Sequence, residues 1–595
     1  MSGTFLPSRL RVAGRAATWV LAGLLLAILV SFTWVGVRAA LAYQHLERIQ
    51  NSAASTIAAV TSSTSEAVPE VARLASDAAA AHDLTSDPLF GLAEHAPWVG
   101  PQLGAFASIS KASDELLSDS LLPLVTAAQD LPFDTLKPVG GRIDTAGLSS
   151  LAVPARDAAV TSIDAAHSVN SIDRAPLLGV VAAAVDKADD SFTQISSAID
   201  ALSRTSQILP EMLGSDRPRD YLVLVQNNAE WRSLGGITGT AILLHTDNGT
   251  VSLRDTQSAT SLVRDLSDPI VELPDEVVSI YGTRPARYFH NLTQIPDFTL
   301  DGPIAQAMYQ AKTGVSVDGV IAVDPVVLAY LLNATGPISL PSGDILTAEN
   351  AVQFLLNGVY LRYSDPAAQD AVFAGAAGAV FQGLLNGQGS STSLIEAFAR
   401  SSAERRLLLW SSDTDEQAVI NGTSIAGQLP QSDPRTARFG VYLNDGTGSK
   451  MSYYVEPTVS LQWGTCRSGG KEDRRSLDLQ VALTNNAPPD AANYLPEYIT
   501  GGGANGTAPG NVKVIGNLYV PAGFDIVSMS KDDGGPIPQA ELEGHRVLTF
   551  ETELAPGSST RISVTVRATP GTIDAEALVT PTSDAQLSPV VPASC

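Results

Sequence analysis

The sequence predicts a multidomain α+β protein: an N-terminal transmembrane helix, a helical spacer bundle, a central α/β domain and a C-terminal β-sandwich. Three observations carry that prediction. One long apolar stretch lies near the N-terminus, helical periodicity fills the segment after it, and short apolar runs with turn chemistry take over beyond residue 214. Those runs are first interleaved with helical patterns and later stand alone.

The anchor comes first. Residues 1–15 form a short tail with Arg9, Arg11 and Arg15, and Ala16 to Val37 are 22 uncharged, mostly apolar positions. A helix of about 20 residues crosses a bilayer. Trp19 and Trp34 lie near its ends, as interfacial aromatics do, and only Arg38 follows closely. Three arginines before the span and one after it predict a single pass with a cytoplasmic N-terminus and an extracytoplasmic bulk. The apolar core of a signal peptide is shorter, about 7–15 residues. An uncleaved anchor is therefore expected, although Ala40-Leu41-Ala42 resembles a cleavage site.

Residues 39–213 read as the helical spacer. Val181, Val185, Ala188, Phe192, Ile195, Ile199 and Leu202 fall on one helix face, as do Leu46, Ile49, Ala53, Ile57 and Val60. Breaks are expected near Pro97, Pro123, Pro154 and Pro176. A partner-binding module is the alternative to a plain spacer.

Residues 215–438 read as the central α/β domain. Tyr221 to Val225 is a buried strand. Ile237 to Leu244 and Thr250 to Leu253 form a hairpin about Asp247-Asn248-Gly249. Ile304 to Lys312 is a helix closed by Gly314, Val317 to Val323 a strand, and Pro325 to Asn333, Ala348 to Tyr360, Phe373 to Leu385 and Leu394 to Trp410 helices. Residues 439–595 hold the β-sandwich, with strands at Tyr453–Gln462, Ser476–Leu483, Val512–Val520, His545–Glu551 and Arg561–Arg567. The two cysteines, Cys466 and Cys595, suggest a disulfide fastening its last segment.

Composition narrows the function. Apolar residues make up 44 % of the chain and charged ones 17 %, which excludes wholesale disorder. The net charge is −25, and four of the 37 bases precede residue 39, where there is no acid. The remainder is strongly acidic and repels nucleic acid. The seven histidines have no paired ligand spacing, and neither a Gly-x-Ser-x-Gly elbow nor a Gly-x-x-x-x-Gly-Lys loop occurs.

One polar cluster stands out: Gln226, Asn227, Asn228, Glu230 and Arg232 directly follow the first strand. Ligands bind beyond the carboxyl ends of strands in α/β sheets, and amides, a carboxylate and a guanidinium suit sugar hydroxyls or phosphate. The alternative is a hydrogen-bonded loop supporting Gly235-Gly236. Asp324 before Pro325 reads either as a metal ligand or as a helix N-cap.

The run Tyr221-Leu-Val-Leu-Val-Gln-Asn-Asn-Ala-Glu-Trp-Arg-Ser-Leu-Gly-Gly236 resembles the bacterial family known as domain of unknown function 4012. Asn291-Leu-Thr-Gln-Ile-Pro-Asp297, Val317 to Pro325, Asn333 to Pro337 and Asn444-Asp-Gly-Thr-Gly-Ser-Lys450 carry the same resemblance. More weakly, Asp318 to Asp324, Leu331 to Gly336 and Tyr360-Leu-Arg362-Tyr-Ser-Asp365 are similar to the LytR-CpsA-Psr family. Members of that family are membrane-anchored transferases moving glycopolymers from polyprenyl-pyrophosphate carriers to the cell wall with Mg²⁺. That resemblance implies catalytic roles for Arg254, Asp255 and Arg362, diphosphate contacts from Arg232, and a metal role for Asp324. The early metal-binding Asp is missing, Ser364 replaces an arginine, and Ala367-Ala368-Gln369-Asp370 replaces an Arg-Gln-rich helix start. Two readings follow. One is a non-catalytic envelope protein binding or assembling glycopolymers; the other is an Mg²⁺-dependent phosphotransferase.

Overall fold

The computed structural model describes residues 8–62, 64–129, 138, 140–262, 265–464, 476–568, 574–584 and 588–592. The chain divides into two compact units, Met1–Leu136 with Asp144–Pro210, and Lys137–Ile143 with Glu211–Cys595. Cys466 and Cys595, and with them the expected disulfide, lie outside the described residues.

The first unit is helical. Helix α1 (Ser8–Ser62) contains Ala17–Ser52, a stretch long and apolar enough to cross a membrane, with almost none of its most apolar window buried. It continues as one wall of a bundle with α2 (Thr64–Thr85), α3 (Pro88–Ala93), α4 (Gly100–Asp114), α5 (Leu122–Ala128), α6 (Thr145–Asn170) and α7 (Gly179–Met212). The α1–α2 pair is antiparallel. Arg38 donates to the carbonyls of Asp83 (2.7 Å) and Leu84 (2.8 Å), the Asp77 carboxylate meets His45 (2.7 Å) and Arg48 (2.8 Å), and Arg73 reaches Ser52 at 3.3 Å. The core is built from small residues, Ala112, Ala155, Ala158, Ala159 and Ala165 around Leu116, Val169, Phe192 and Ile199. Alanine lets helices approach closely at little entropic cost. The break expected at Pro154 does not occur. Helix α6 runs through it, forgoing one i→i−4 bond in exchange for unbroken packing.

The second unit begins with a mixed five-stranded sheet. Strands β1 (Arg219–Arg232), β2 (Gly235–Asp247) and β3 (Thr250–Ser258) form an antiparallel meander. Asn248 (φ 48°) and Gly249 (φ 81°) close the β2–β3 hairpin in the left-handed conformation its two-residue turn requires. After α8 (Ala259–Leu262), α9 (Asp275–Tyr281) and α10 (Phe298–Thr313), strand β4 (Gly319–Val323) pairs parallel to β1 and leads into α11 (Pro325–Thr335). The two-residue strands β5 (Ile338–Ser339) and β6 (Ile345–Leu346) precede α12 (Ala351–Gln353), a π-helical turn over Phe354–Gly358, α13 (Val359–Arg362), α14 (Pro366–Leu385) and α15 (Ser391–Ala403). The helix expected over Leu394–Trp410 stops at Ala403, and Leu408–Ser411 is strand β7, antiparallel to β4 at the sheet edge. The sheet order is β3-β2-β1-β4-β7.

Helix α16 (Thr414–Ile420) leads to β8 (Thr436–Asp445), β9 (Val455–Trp463), β10 (Ser476–Asn485), α17 (Ala491–Tyr494), α18 (Glu497–Thr500), β11 (Val512–Val520), β12 (Phe524–Lys531), β13 (Gln539–Leu542), β14 (His545–Leu554), β15 (Ser559–Ala568), β16 (Asp574–Val579) and β17 (Val590–Val591). They form a six-stranded sheet, β13-β14-β11-β8-β16-β17, and a four-stranded sheet, β12-β15-β10-β9. Phe439, Val441, Leu479, Val481, Leu518 and Val564 share one core, which also takes in Trp231 and Tyr360 from the central region. On the other face of the larger sheet, Tyr442, Tyr519 and Val547 pack with Leu222, Leu224, Tyr281 and Phe298. The central and C-terminal regions therefore share cores within a single compact unit.

Candidate functional site

The five-stranded sheet has two unlike faces. Leu222, Leu224, Ala241, Leu243, Val320 and Ala322 point into a filled core with α10. The alternate residues Val223, Val225, Ile242, Leu244 and Val323 line a cavity of about 310 Å³. Its far wall is apolar, from Val327 and Leu331 of α11, Phe373, Ala377, Val380 and Phe381 of α14, and Phe398 of α15.

Two hydrogen-bonded sets are among the polar groups that reach this cavity. In the first, Asn227 Nδ2 donates a short bond to the Tyr360 hydroxyl, Tyr360 stacks on Tyr498 with ring centroids 5.5 Å apart, and Lys450 Nζ lies 5.9 and 5.8 Å from those two rings. In the second, Ser258 bonds the Asp370 carboxyl and shares a 2.7 Å hydroxyl contact with Thr260. Burial against the apolar wall raises the Asp370 pKa above the ordinary aspartate value, and the Ser258 bond offsets part of that.

The polar cluster read from the sequence sits here, but not in a loop. It is the second half of β1, which continues to Arg232 through bulges between Val225 and Gln226 and between Asn227 and Trp231. Strand β4 ends opposite Val225, so this half of β1 runs beyond its parallel neighbour. Gln226 Oε1 accepts from Gly236 N at 2.8 Å, and Asn227 Oδ1 from Ala229 N at 3.0 Å. Gly236 permits this close approach, since a Cβ there would lie 2.2 Å from the Asn227 carbonyl carbon. Gln226 and Asn227 line the cavity.

Glu230 and Arg232 lie behind that wall in a buried ion cluster. Glu230 Oε2 accepts from Lys450 Nζ at 2.6 Å and Oε1 from Arg232 Nη2 at 3.1 Å, while Arg232 Nε donates to Asn291 Oδ1 at 3.1 Å. Burial pushes the Glu230 carboxyl up, but the two cations outweigh it and hold the pKa below the usual value. Burial likewise pulls the Lys450 ammonium down, and Glu230 outweighs that, so Lys450 stays charged well above neutrality. Half-buried Asp445 is pushed up to about 6 by burial and by the Glu230 charge.

Of the other residues singled out by sequence, Asp324 borders the cavity, whereas Arg254, Asp255 and Arg362 lie away from it. Asp324 N-caps α11, with Oδ1 accepting from Val326 N (2.9 Å) and Val327 N (3.0 Å). Its Oδ2 accepts from Arg406 Nη1 (2.7 Å) and Asn228 Nδ2 (3.1 Å), so both oxygens are fully used. Arg254, the extra residue of a β3 bulge, is exposed and pairs with Asp220 at 3.4 Å. Asp255, next to that bulge in β3, accepts from Thr256 N (2.8 Å) and Gln257 Nε2 (2.6 Å). Arg362 is exposed and forms a short ion pair with Asp344. The three arginines thus have separate partners, and none is among the cavity-lining residues.

Sequence reasoning did not single out Tyr360, Asp370, Lys450 or Tyr498 as site residues. Lys450 had a signal, being among the few lysines of an acidic chain and ending the Asn444–Lys450 motif.

Residues 216–360 match the family model described as a protein of unknown function, DUF4012. No curated protein matches the chain. The DUF4012 match covers β1 to β4, the helices α8 to α11 and Tyr360, and it stops before α14, Lys450 and Tyr498, which complete the cavity.

Proposed function

We propose that the protein is a membrane-anchored component of the bacterial cell envelope that binds an amphiphile, the lipid-linked form of a wall or exopolysaccharide glycopolymer, without catalysing its transfer. In this reading α1 is a single-pass anchor with a cytoplasmic N-terminus, and the two C-terminal sheets form the layers of a sandwich. The observation that carries the reading is the cavity of about 310 Å³ between the sheet and α14, largely apolar in lining, with Lys450, Tyr360, Asn227 and Asp370 among its polar groups. An isoprenoid chain is apolar and needs such a slot, while its anionic or sugar head needs donors.

The transferase reading has less support. It requires arginines converging on a diphosphate and carboxylates with free lone pairs for Mg²⁺. Arg232, Arg254 and Arg362 are each engaged separately, and Asp324 has no acceptor position left. No group of three or more potential ligand side chains forms among the described residues. The residues present do not fit an Mg²⁺ site, and no catalytic step is assigned.

The test uses the full chain in lipid nanodiscs and native mass spectrometry with added polyprenyl phosphate, in Mg²⁺ and in chelator. A saturable, Mg²⁺-independent adduct that Ala377→Phe abolishes is the expected result. An adduct that persists in that variant, or none in the wild type, overturns the reading.

A further inference from the structure

The helical unit carries an apolar patch that its fold does not use. Leu89, Leu92, Trp98, Val99, Leu178 and Val180 are all exposed, Trp98 at 89 % and Val180 at 85 %. They come from two separate turns, the α2–α4 connection and the α6–α7 connection, and contacts within the unit bring both turns to the same end of the bundle.

Helix α2 runs antiparallel to α1, from Arg73 beside Ser52 to Asp83 and Leu84 beside Arg38. The chain then goes one step further. Asp87 accepts from Trp34 Nε1 at 3.4 Å and lies 3.9 Å from Arg38. Trp34 is one helical turn, about 6 Å, nearer the apolar stretch than Arg38. The α2–α4 turn is therefore level with the end of the span, where an interfacial tryptophan belongs. Gln102, in the first turn of α4, holds the second turn to the first, donating to Pro176 O at 3.0 Å and accepting from Leu178 N at 3.0 Å.

Trp98 adds an independent sign. Its φ is +63°, a left-handed conformation that costs a bulky residue of order 1–3 kcal/mol. The turn around it is tight: Val99 N bonds Pro97 O at 2.8 Å and Gly100 N bonds Ala96 O at 2.9 Å. A Cβ on Gly100 would lie 2.1 Å from Glu94 O. Local structure thus holds the backbone in a strained state that sends the largest side chain outward.

We infer that these two turns form an interfacial membrane contact, in which Leu89, Leu92, Trp98, Val99, Leu178 and Val180 enter the headgroup layer around the transmembrane helix. The occupant is the lipid bilayer, because the apolar part of α1 fixes where the bilayer lies and the patch adjoins it. Apolar side chains of interfacial segments sink about 5–10 Å into that layer. The contact holds the bundle at a defined height and tilt, which one helix alone does not.

The inference rests on the reading of α1 as a membrane span, and the experiment separates the two. The full chain is placed in phosphatidylcholine nanodiscs with and without brominated acyl chains, and tryptophan emission is compared with that of Trp98→Phe and Trp19→Phe. Trp98 is exposed, so its substitution leaves the fold intact. The emission lost in Trp98→Phe is expected to be quenched by brominated lipid and shielded from acrylamide. Emission reached by acrylamide and not by brominated lipid overturns the inference, and so does emission reached by neither, which means a protein covers the patch. Trp19 is the control. If its emission escapes brominated lipid, the span reading itself falls; if Trp19 is quenched and Trp98 is not, only the interfacial contact falls.

Discussion

The two faces of the five-stranded sheet are built from alternate residues of the same strands, yet one is solid and the other hollow. Leu222 and Leu224 are fully buried against α10, whereas their neighbours Val223 and Val225 border the cavity. Both faces are equally apolar in sequence. What differs is the opposing layer. The α10 side offers Ile304, Met308 and Tyr309, bulky residues that interdigitate with the strands. The α14 side sets only Ala376 and Ala377 between Phe373 and Val380 along its cavity-facing stripe. Small residues opposite a sheet leave room, and interiors leave such room rarely without a purpose.

Paired truncations sharpen this contrast. Leu224→Ala on the solid face is expected to destabilise the second unit by about 2–5 kcal/mol, because it opens a void in a filled core. Leu244→Ala on the hollow face loses transfer energy but opens no new void, so about 1 kcal/mol is expected. Denaturant titration of both variants checks the pair, and equal losses would mean that the two faces are packed alike. The pH dependence offers a subtler handle. Asp445, raised from 3.8 in the unfolded chain to about 6, binds its proton more tightly when folded. Its contribution to stability is full below pH 4 and is lost as pH rises through about 6. Asp445→Asn removes that loss, so the variant should gain on the wild type between pH 4 and 6 and hold a constant lead above it. Parallel melting curves across that window would detach Asp445 from the Glu230 cluster. The smallest effect is expected from Arg362→Ala, whose exposed pair with Asp344 lies off the cavity wall. Its polyprenyl phosphate binding should match the wild type, and a large loss would return Arg362 to the site.

Local signals in the sequence were legible where a short stretch determines its own shape. Asn248-Gly249 specified the hairpin turn, Gly314 (φ 77°) closed α10, and Asp324 before Pro325 opened α11. Leu408–Ser411 was misread as helix because a four-residue apolar run after a helix has no period of its own. The Gln226–Arg232 cluster was found but placed in a loop, since bulges that bend a strand leave no periodic trace. The cavity and the Glu230–Lys450 pair were not legible. Their partners are 220 residues apart in the chain, and no local pattern reports that separation. Nor does an apolar run reveal whether the layer opposite fills or spares the space above it.

The way the last strands close the second unit bears on how it is made. Strand β16 pairs parallel to β8, Asn228 Nδ2 bonds Pro581 O across 353 residues, and Arg406 donates to the carbonyls of Thr582 and Asp584 while neutralising Asp324. Closing so long a loop is slow. A growing chain can complete the helical bundle early, but its central sheet lacks these partners until residues 574–584 have been made. Until then Arg406 lacks two acceptors and β8 has a bare edge. Chains arrested before Asp574 should therefore be cut readily by protease between Glu211 and Asp445, while the bundle resists. The second unit thus matures later than the bundle, in a chain that already carries residues 574–584.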